Sequence, residues 1–131
     1  MGIEKDYLMR QLLMLFDVIQ KILRYRKKGE KENAEAEIKY FYECLKIENE
    51  VQLLSIEQFL DFLENNKKLT NEHIEMVAFV LKEQGELAET EEKKTEIFRK
   101  AYFLLDKVER ESTSFSMDRQ MKLAELRAWL N

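Results

Sequence analysis

The sequence predicts an all-α fold of antiparallel helical hairpins, about six helices in a tetratricopeptide-like bundle or short solenoid. Three observations predict it. There is no proline, and only three glycines, Gly2, Gly29 and Gly85, interrupt 131 residues, so the commonest helix breakers are nearly missing. Apolar side chains recur at steps of three and four over long stretches, the period of one helix face. Finally, 37% charged and 45% hydrophobic residues supply solvated faces and a core that needs neither metal nor disulfide. Residues 1–131 read as a single domain.

The first segment, residues 3–28, organises the rest. Leu8, Leu12, Leu15, Ile19 and Ile22 form one stripe, which Met9, Phe16 and Leu23 widen on one side. Met14, Val18 and Tyr25 add a second strip on the other side, and Leu13 falls inside the remaining polar arc of Arg10, Asp17, Gln20, Lys21, Arg24 and Lys28. One neighbouring helix cannot cover so much apolar circumference. The segment is therefore the hub of a bundle or pairs with a second copy of the chain. Its longest apolar run, residues 12–16, falls far short of the ~20 residues a bilayer span needs. Charges interleaved from Glu4 onward argue against a signal peptide.

Gly29 occupies the position where a helix commonly ends in a left-handed residue, and Glu30 and Glu32 favour a new N-terminus after it. The second helix, about residues 30–47, carries Ala34, Ile38, Phe41 and Leu45 on one face. Tyr40, Phe41 and Tyr42 are consecutive and cannot all face one core, so at least one tyrosine is expected outside. Residues 48–54 lack a period and read as a loop or a short irregular turn. Ser55 and Gln58 make a capping box for a third helix over about residues 56–65, which buries Ile56, Phe59, Leu60 and Leu63. Thr70 or Asn71 caps a fourth, running to about residue 89 with Ile74, Val77, Ala78, Leu81, Gly85 and Ala88 on one side. Gly85 either ends that helix or allows a close backbone approach. Residues 86–94 are a loop or the first turns of a fifth helix, whose firm stripe is Ile97, Ala101, Leu104 and Val108. The hydroxyl-rich residues 112–116 break it. A last helix over about residues 117–130, with Met121, Ala124, Leu126, Trp129 and Leu130, packs back on the body.

The turns Lys27-Lys28-Gly29-Glu30 and Glu83-Gln84-Gly85-Glu86 resemble the hairpin turn of a tetratricopeptide repeat, with Ala34, Ile38 and Phe41 at the expected offsets in the first unit and Phe98 and Ala101 in the second. Lys94 stands where a small residue belongs, the repeat-ending proline is missing, and no 34-residue period runs along the chain. The likeness spans roughly 80 of the residues. The opening Ile3-Glu4-Lys5-Asp6-Tyr7-Leu8-Met9-Arg10-Gln11-Leu12 followed by such hairpins also resembles a family of short bacterial proteins of unknown function. That resemblance implies a cytoplasmic protein and brings no catalytic residues.

Chemistry is poorly represented. The only histidine, His73, stands between Glu72 and Ile74 in a first helical turn and reads as a surface residue. The lone Cys44 excludes an intramolecular disulfide and reads as packing. No glycine-rich phosphate loop and no Glu-x-x-His pair on two helices is present, so no catalytic, cofactor or metal residues are expected. Net charge is −4, divided as +3 over residues 1–33 and −7 over the remaining 98, which favours attraction between the two parts within a chain or between copies. The basic cluster Lys21, Arg24, Arg26, Lys27, Lys28 and Lys31 could contact an anion, chiefly through Arg24, Arg26, Lys27 and Lys28, but acidic residues follow at once and the overall acidity disfavours nucleic acid. A helix C-terminus that attracts cations is the plainer account.

The expectation is a non-enzymatic helical protein–protein interaction or scaffold module. It forms a homo-oligomer, most simply a dimer, through Leu8, Leu12, Leu15, Phe16, Ile19 and Ile22, and holds a protein or peptide partner. The alternative is a nucleic-acid-associated regulator using the basic cluster; a weaker one is an enzyme whose site is assembled across subunits.

Overall fold

The computed structural model describes residues 2–131, with side chains from Lys5 onward, so the first side chains of the 3–12 opening lie outside the described residues. The described residues are all-helical, in the order α1 (Gly2–Lys27), α2 (Lys31–Cys44), α3 (Asn49–Gln52), α4 (Ile56–Asp61) with a π-helical turn (Phe62–Asn66) continuing it, α5 (Asn71–Glu86), α6 (Glu91–Glu111) and α7 (Met117–Leu130). Two hairpins form the body. α1 packs on α2 and α5 on α6, α1 lies against α5, and α7 closes the far side against α6. One core runs through both hairpins, with Leu15, Ile22, Phe41, Phe59, Ile74 and Leu104 fully buried.

Each boundary has a local cause. α1 ends in a Schellman motif: Gly29 has φ +77°, its N–H reaches the Arg26 carbonyl at 3.0 Å, and the Glu30 N–H reaches Tyr25 at 2.9 Å. The same motif ends α2 three residues before the expected limit of 47. Lys46 takes the left-handed conformation, donates to Glu43 at 3.0 Å, and lets Ile47 donate to Tyr42 at 2.9 Å while burying its side chain. A lysine in that role carries no glycine signal, so the sequence placed the boundary late. Ser55 makes the expected capping box with Gln58, and Thr70, not Asn71, caps α5. Thr90 and Ser116 cap α6 and α7 in the same way. Residues 48–54, expected to be a loop or a short irregular turn, contain the single turn α3, which Lys100 tethers by donating to the Gln52 carbonyl at 2.8 Å.

The two glycine turns are not equivalent. Gly85 lies inside α5, and the chain turns only after Glu86. A Cβ on Gly85 would fall on the ring of Phe98 from α6, so the glycine serves close helix approach and not the turn. Phe98 in turn meets Trp129 of α7 edge-on at 6.0 Å, which ties three helices together. The packing face of α7 differs from the expected one: Arg119, Leu123 and Leu126 are buried, whereas Met121 is 55% exposed.

Buried cations join the seams. Lys107 of α6 reaches Asn71 Oδ1 at 2.7 Å and Glu111 at 3.1 Å, and also pairs with Glu64 of the π-helical turn. Lys82 of α5 pairs with Glu125 of α7 at 2.7 Å. Arg119 of α7 joins Glu75 of α5 and Glu109 of α6. Among the described residues no buried side-chain nitrogen or oxygen lacks a hydrogen-bond partner.

Candidate functional site

α1 has 26 residues and α2 has 14, so the first is ~39 Å long and its antiparallel neighbour only ~21 Å. Folding back from Gly29, α2 can cover α1 only to about its middle. The burial pattern follows that mismatch. In the second half Leu15, Val18, Ile19 and Ile22 are buried, while in the first half Leu8 and Leu12, close to the same arc, are only half-buried; on the opposite face Met9 is 53% exposed, Leu13 58% and Phe16 42%. Met9, Leu13 and Phe16 stand at steps of four and three, within about 60° of the helix circumference, and form one continuous apolar row facing outward. Tyr7 and Met14 are exposed on another side of the same helix.

The predicted interface set is therefore divided. Leu15, Ile19 and Ile22 are corrected: they belong to the chain's own core, because α2 and α5 together cover the arc that a single neighbour could not. Phe16 stays outside, with Leu8 and Leu12 at the edge. Val18 of the second strip, and Tyr42 and Phe79, which lie off the main stripes of their helices, are buried as well. Met9 and Leu13 complete the exposed row. Leu13 had a signal, a leucine inside an otherwise polar arc, that periodicity could not interpret.

The basic cluster is also split by helix geometry. Arg26 projects inward and pairs with the nearly buried Glu83 of α5; burial pulls its pKa down, but the hydrogen bond and charge of Glu83 outweigh this and raise it. Arg26 is thus a structural residue and not an anion contact. Lys31 reaches Glu89 at 3.3 Å. Arg24, Lys27 and Lys28 are exposed, Lys27 in line with the Met9, Leu13 and Phe16 row and Arg24 and Lys28 on the flank beside it.

A cleft of about 880 Å³ opens between α2, the segment around α3, and the α5–α6 turn. Ile38, Tyr42, Ile47, Leu87 and Ile97 contribute its apolar surface, and Lys39 is among the charged residues that line it. At its floor the Tyr42 hydroxyl donates to Gln84 Oε1 at 2.6 Å, and burial pushes the phenol far above its ordinary pKa, so it remains a neutral donor. Of the tyrosine pair, Tyr40 is the one outside.

His73, expected on the surface, is 4% exposed. Its Nδ1 lies 2.8 Å from Thr70 Oγ1 and its Nε2 3.0 Å from Gln11 Oε1, so it joins the N-terminal half of α1 to the start of α5. With Nε2–H donating to Gln11 and Nδ1 accepting from the Thr70 hydroxyl, the neutral ring satisfies both partners. Burial lowers its pKa below the ordinary 6.5, partly offset by Glu72. Between 6.5 and that lowered value the unfolded chain holds a proton that the folded one does not, so stability falls as pH drops through the window. The melting temperature should decline between pH 7.5 and 5.5, and His73→Gln should show a smaller decline over the same interval. Equal slopes for the two proteins would show that His73 is not the titrating group.

Compared with protein-family models, with curated proteins and with solved structures, the chain matches none.

Proposed function

We propose that this protein is a non-enzymatic, cytoplasmic helical interaction module that self-associates through the N-terminal helix, α1. One observation carries the reading: Met9, Leu13 and Phe16 form a continuous outward apolar row beside Leu8 and Leu12, on the face of α1 turned away from the buried arc of Leu15, Ile19 and Ile22. Association covers that row with the same row of a second copy. The cleft between α2 and the α5–α6 turn is the second surface, its apolar floor and charged rim suited to an amphipathic peptide. Stacked, tetratricopeptide-like hairpins would supply the frame that holds both. The rival reading, nucleic-acid binding through the basic cluster, loses Arg26 and Lys31 to Glu83 and Glu89. No helix among the described residues is long and apolar enough to cross a membrane.

Light scattering at micromolar concentration should give a dimer. Leu13→Asp and Phe16→Asp, at positions that the monomer leaves in solvent, should retain the helical spectrum and raise the dissociation constant about tenfold to a hundredfold. A wild-type chain that remains monomeric across that range would overturn the proposal.

A further inference from the structure

The polar residues beside the α1 row are arranged with an order that the fold of a single chain does not use. Asp6, Arg10, Asp17 and Lys21 are all exposed, and none of them forms an ion pair within the chain among the described residues. At 100° per residue they occupy one flank of the Met9, Leu13 and Phe16 row, again within about 60°. From Asp6 to Lys21 the signs along that flank read negative, positive, negative, positive; Arg24 and Lys28 follow on the same flank, beyond the stretch from 6 to 21.

We infer that two copies pair antiparallel along this face of α1, about a two-fold axis between Leu13 and Met14, with Arg10 of each copy opposite Asp17 of the other and Asp6 opposite Lys21. The inference rests on the self-association proposed above and specifies its geometry. In an antiparallel helix pair the same flank of each helix meets its counterpart, and an axis between residues 13 and 14 sets each position against the one whose number makes 27 with its own. Arg10 then meets Asp17 and Asp6 meets Lys21, so every meeting joins opposite charges. A parallel pair would bring this flank against the opposite one, where Leu8 and Leu12 already lean on the body of the chain, and would leave the four charges unmatched. In the antiparallel arrangement Leu13 lies near the axis, and Met9 and Phe16 extend the apolar strip to either side. The occupant of this face is thus a second copy, selected by the self-complementary order of its charges.

A charge-swap cycle tests it by light scattering or sedimentation. Arg10→Asp and Asp17→Arg, each made alone, set like charges together twice per dimer by symmetry and should weaken association ~10-fold at low salt, less at high salt. The double variant restores opposite charges across the axis and should recover most of the wild-type affinity. Contacts within one helix predict the contrary. In the double variant Asp6 faces a new acid and Lys21 a new base four residues away, so intrahelical repulsion would make it worse than either single change. A dimer whose double variant is no stronger than the singles overturns the antiparallel register and leaves self-association standing; a monomeric wild type overturns both. Circular dichroism and melting of each variant separate loss of folding from loss of pairing.

Discussion

Leu15→Ala should destabilise the chain by about 3 kcal/mol, and Leu15→Asp should leave it largely unfolded at 25 °C. Leu15 has no exposure and lies on the arc of α1 that α2 and α5 cover together. Truncation removes the packed methyl groups and leaves a cavity, because rigid helices on both sides can relax only in part. An aspartate there has no cationic partner and would be buried as an isolated charge or would take up a proton at a cost of several kcal/mol. Domains of this size are stable by about 5–15 kcal/mol, so the second change removes a large share of the total. Urea titration followed at 222 nm reads both. The contrast with Leu13→Asp is the informative result: two leucines two residues apart, with the same substitution, should give an unfolded chain in one case and a folded, weakly associating one in the other. Near-normal stability of Leu15→Asp would show that α1 is not packed in the body as described.

Arg119→Ala should loosen α7 from the body and cost about 2 kcal/mol. Arg119 is 4% exposed and its guanidinium makes three contacts, to Glu75 of α5 at 2.7 Å, Glu109 of α6 at 2.6 Å and the Ser114 carbonyl at 2.8 Å. Its hydrogen bond, first among the causes, holds the Glu109 carboxyl below its ordinary pKa. A fully buried pair broken on one side costs about 3–5 kcal/mol, but Glu75 and Glu109 reach solvent and rehydrate, so the smaller figure applies. Trp129, the only tryptophan, lies on the same helix against Phe98 and under Lys94, whose ammonium is 4.2 Å from its ring. Its emission therefore reports docking of α7: Arg119→Ala should shift it to the red and raise quenching by acrylamide before the remaining helices melt. Unchanged emission with unchanged stability would mean that Arg119 does not hold α7 in place.

Most of the helices were legible because their causes are local. Ser55 with Gln58, Thr70 before α5 and Gly29 after α1 act on backbone groups within a few residues, and the three-and-four spacing of Leu15, Ile19 and Ile22 marks a buried face wherever the partner comes from. The end of α2 was less legible, since Lys46 adopts a left-handed conformation that sequence assigns to glycine or asparagine. His73 was misread for a different reason. A histidine between an acid and an isoleucine in a first turn is equally suited to water, and only the arrival of Gln11 from α1, distant in sequence, buries it.

The amino-acid order by itself determined that the chain is helical, where most helices start and stop, and that α1 carries more apolar circumference than one neighbour covers. It also laid down the alternating charges along α1. Which part of that circumference remains outside was decided only by tertiary structure, because exposure depends on the length of α2 against that of α1 and on the side from which α5 approaches. A stripe read from periodicity gives the angle of a residue around its helix and says nothing of how far along the helix its neighbours extend. For that reason Leu12 and Ile19, which periodicity sets on the same arc of α1, separate into half-buried and buried only when the hairpins pack.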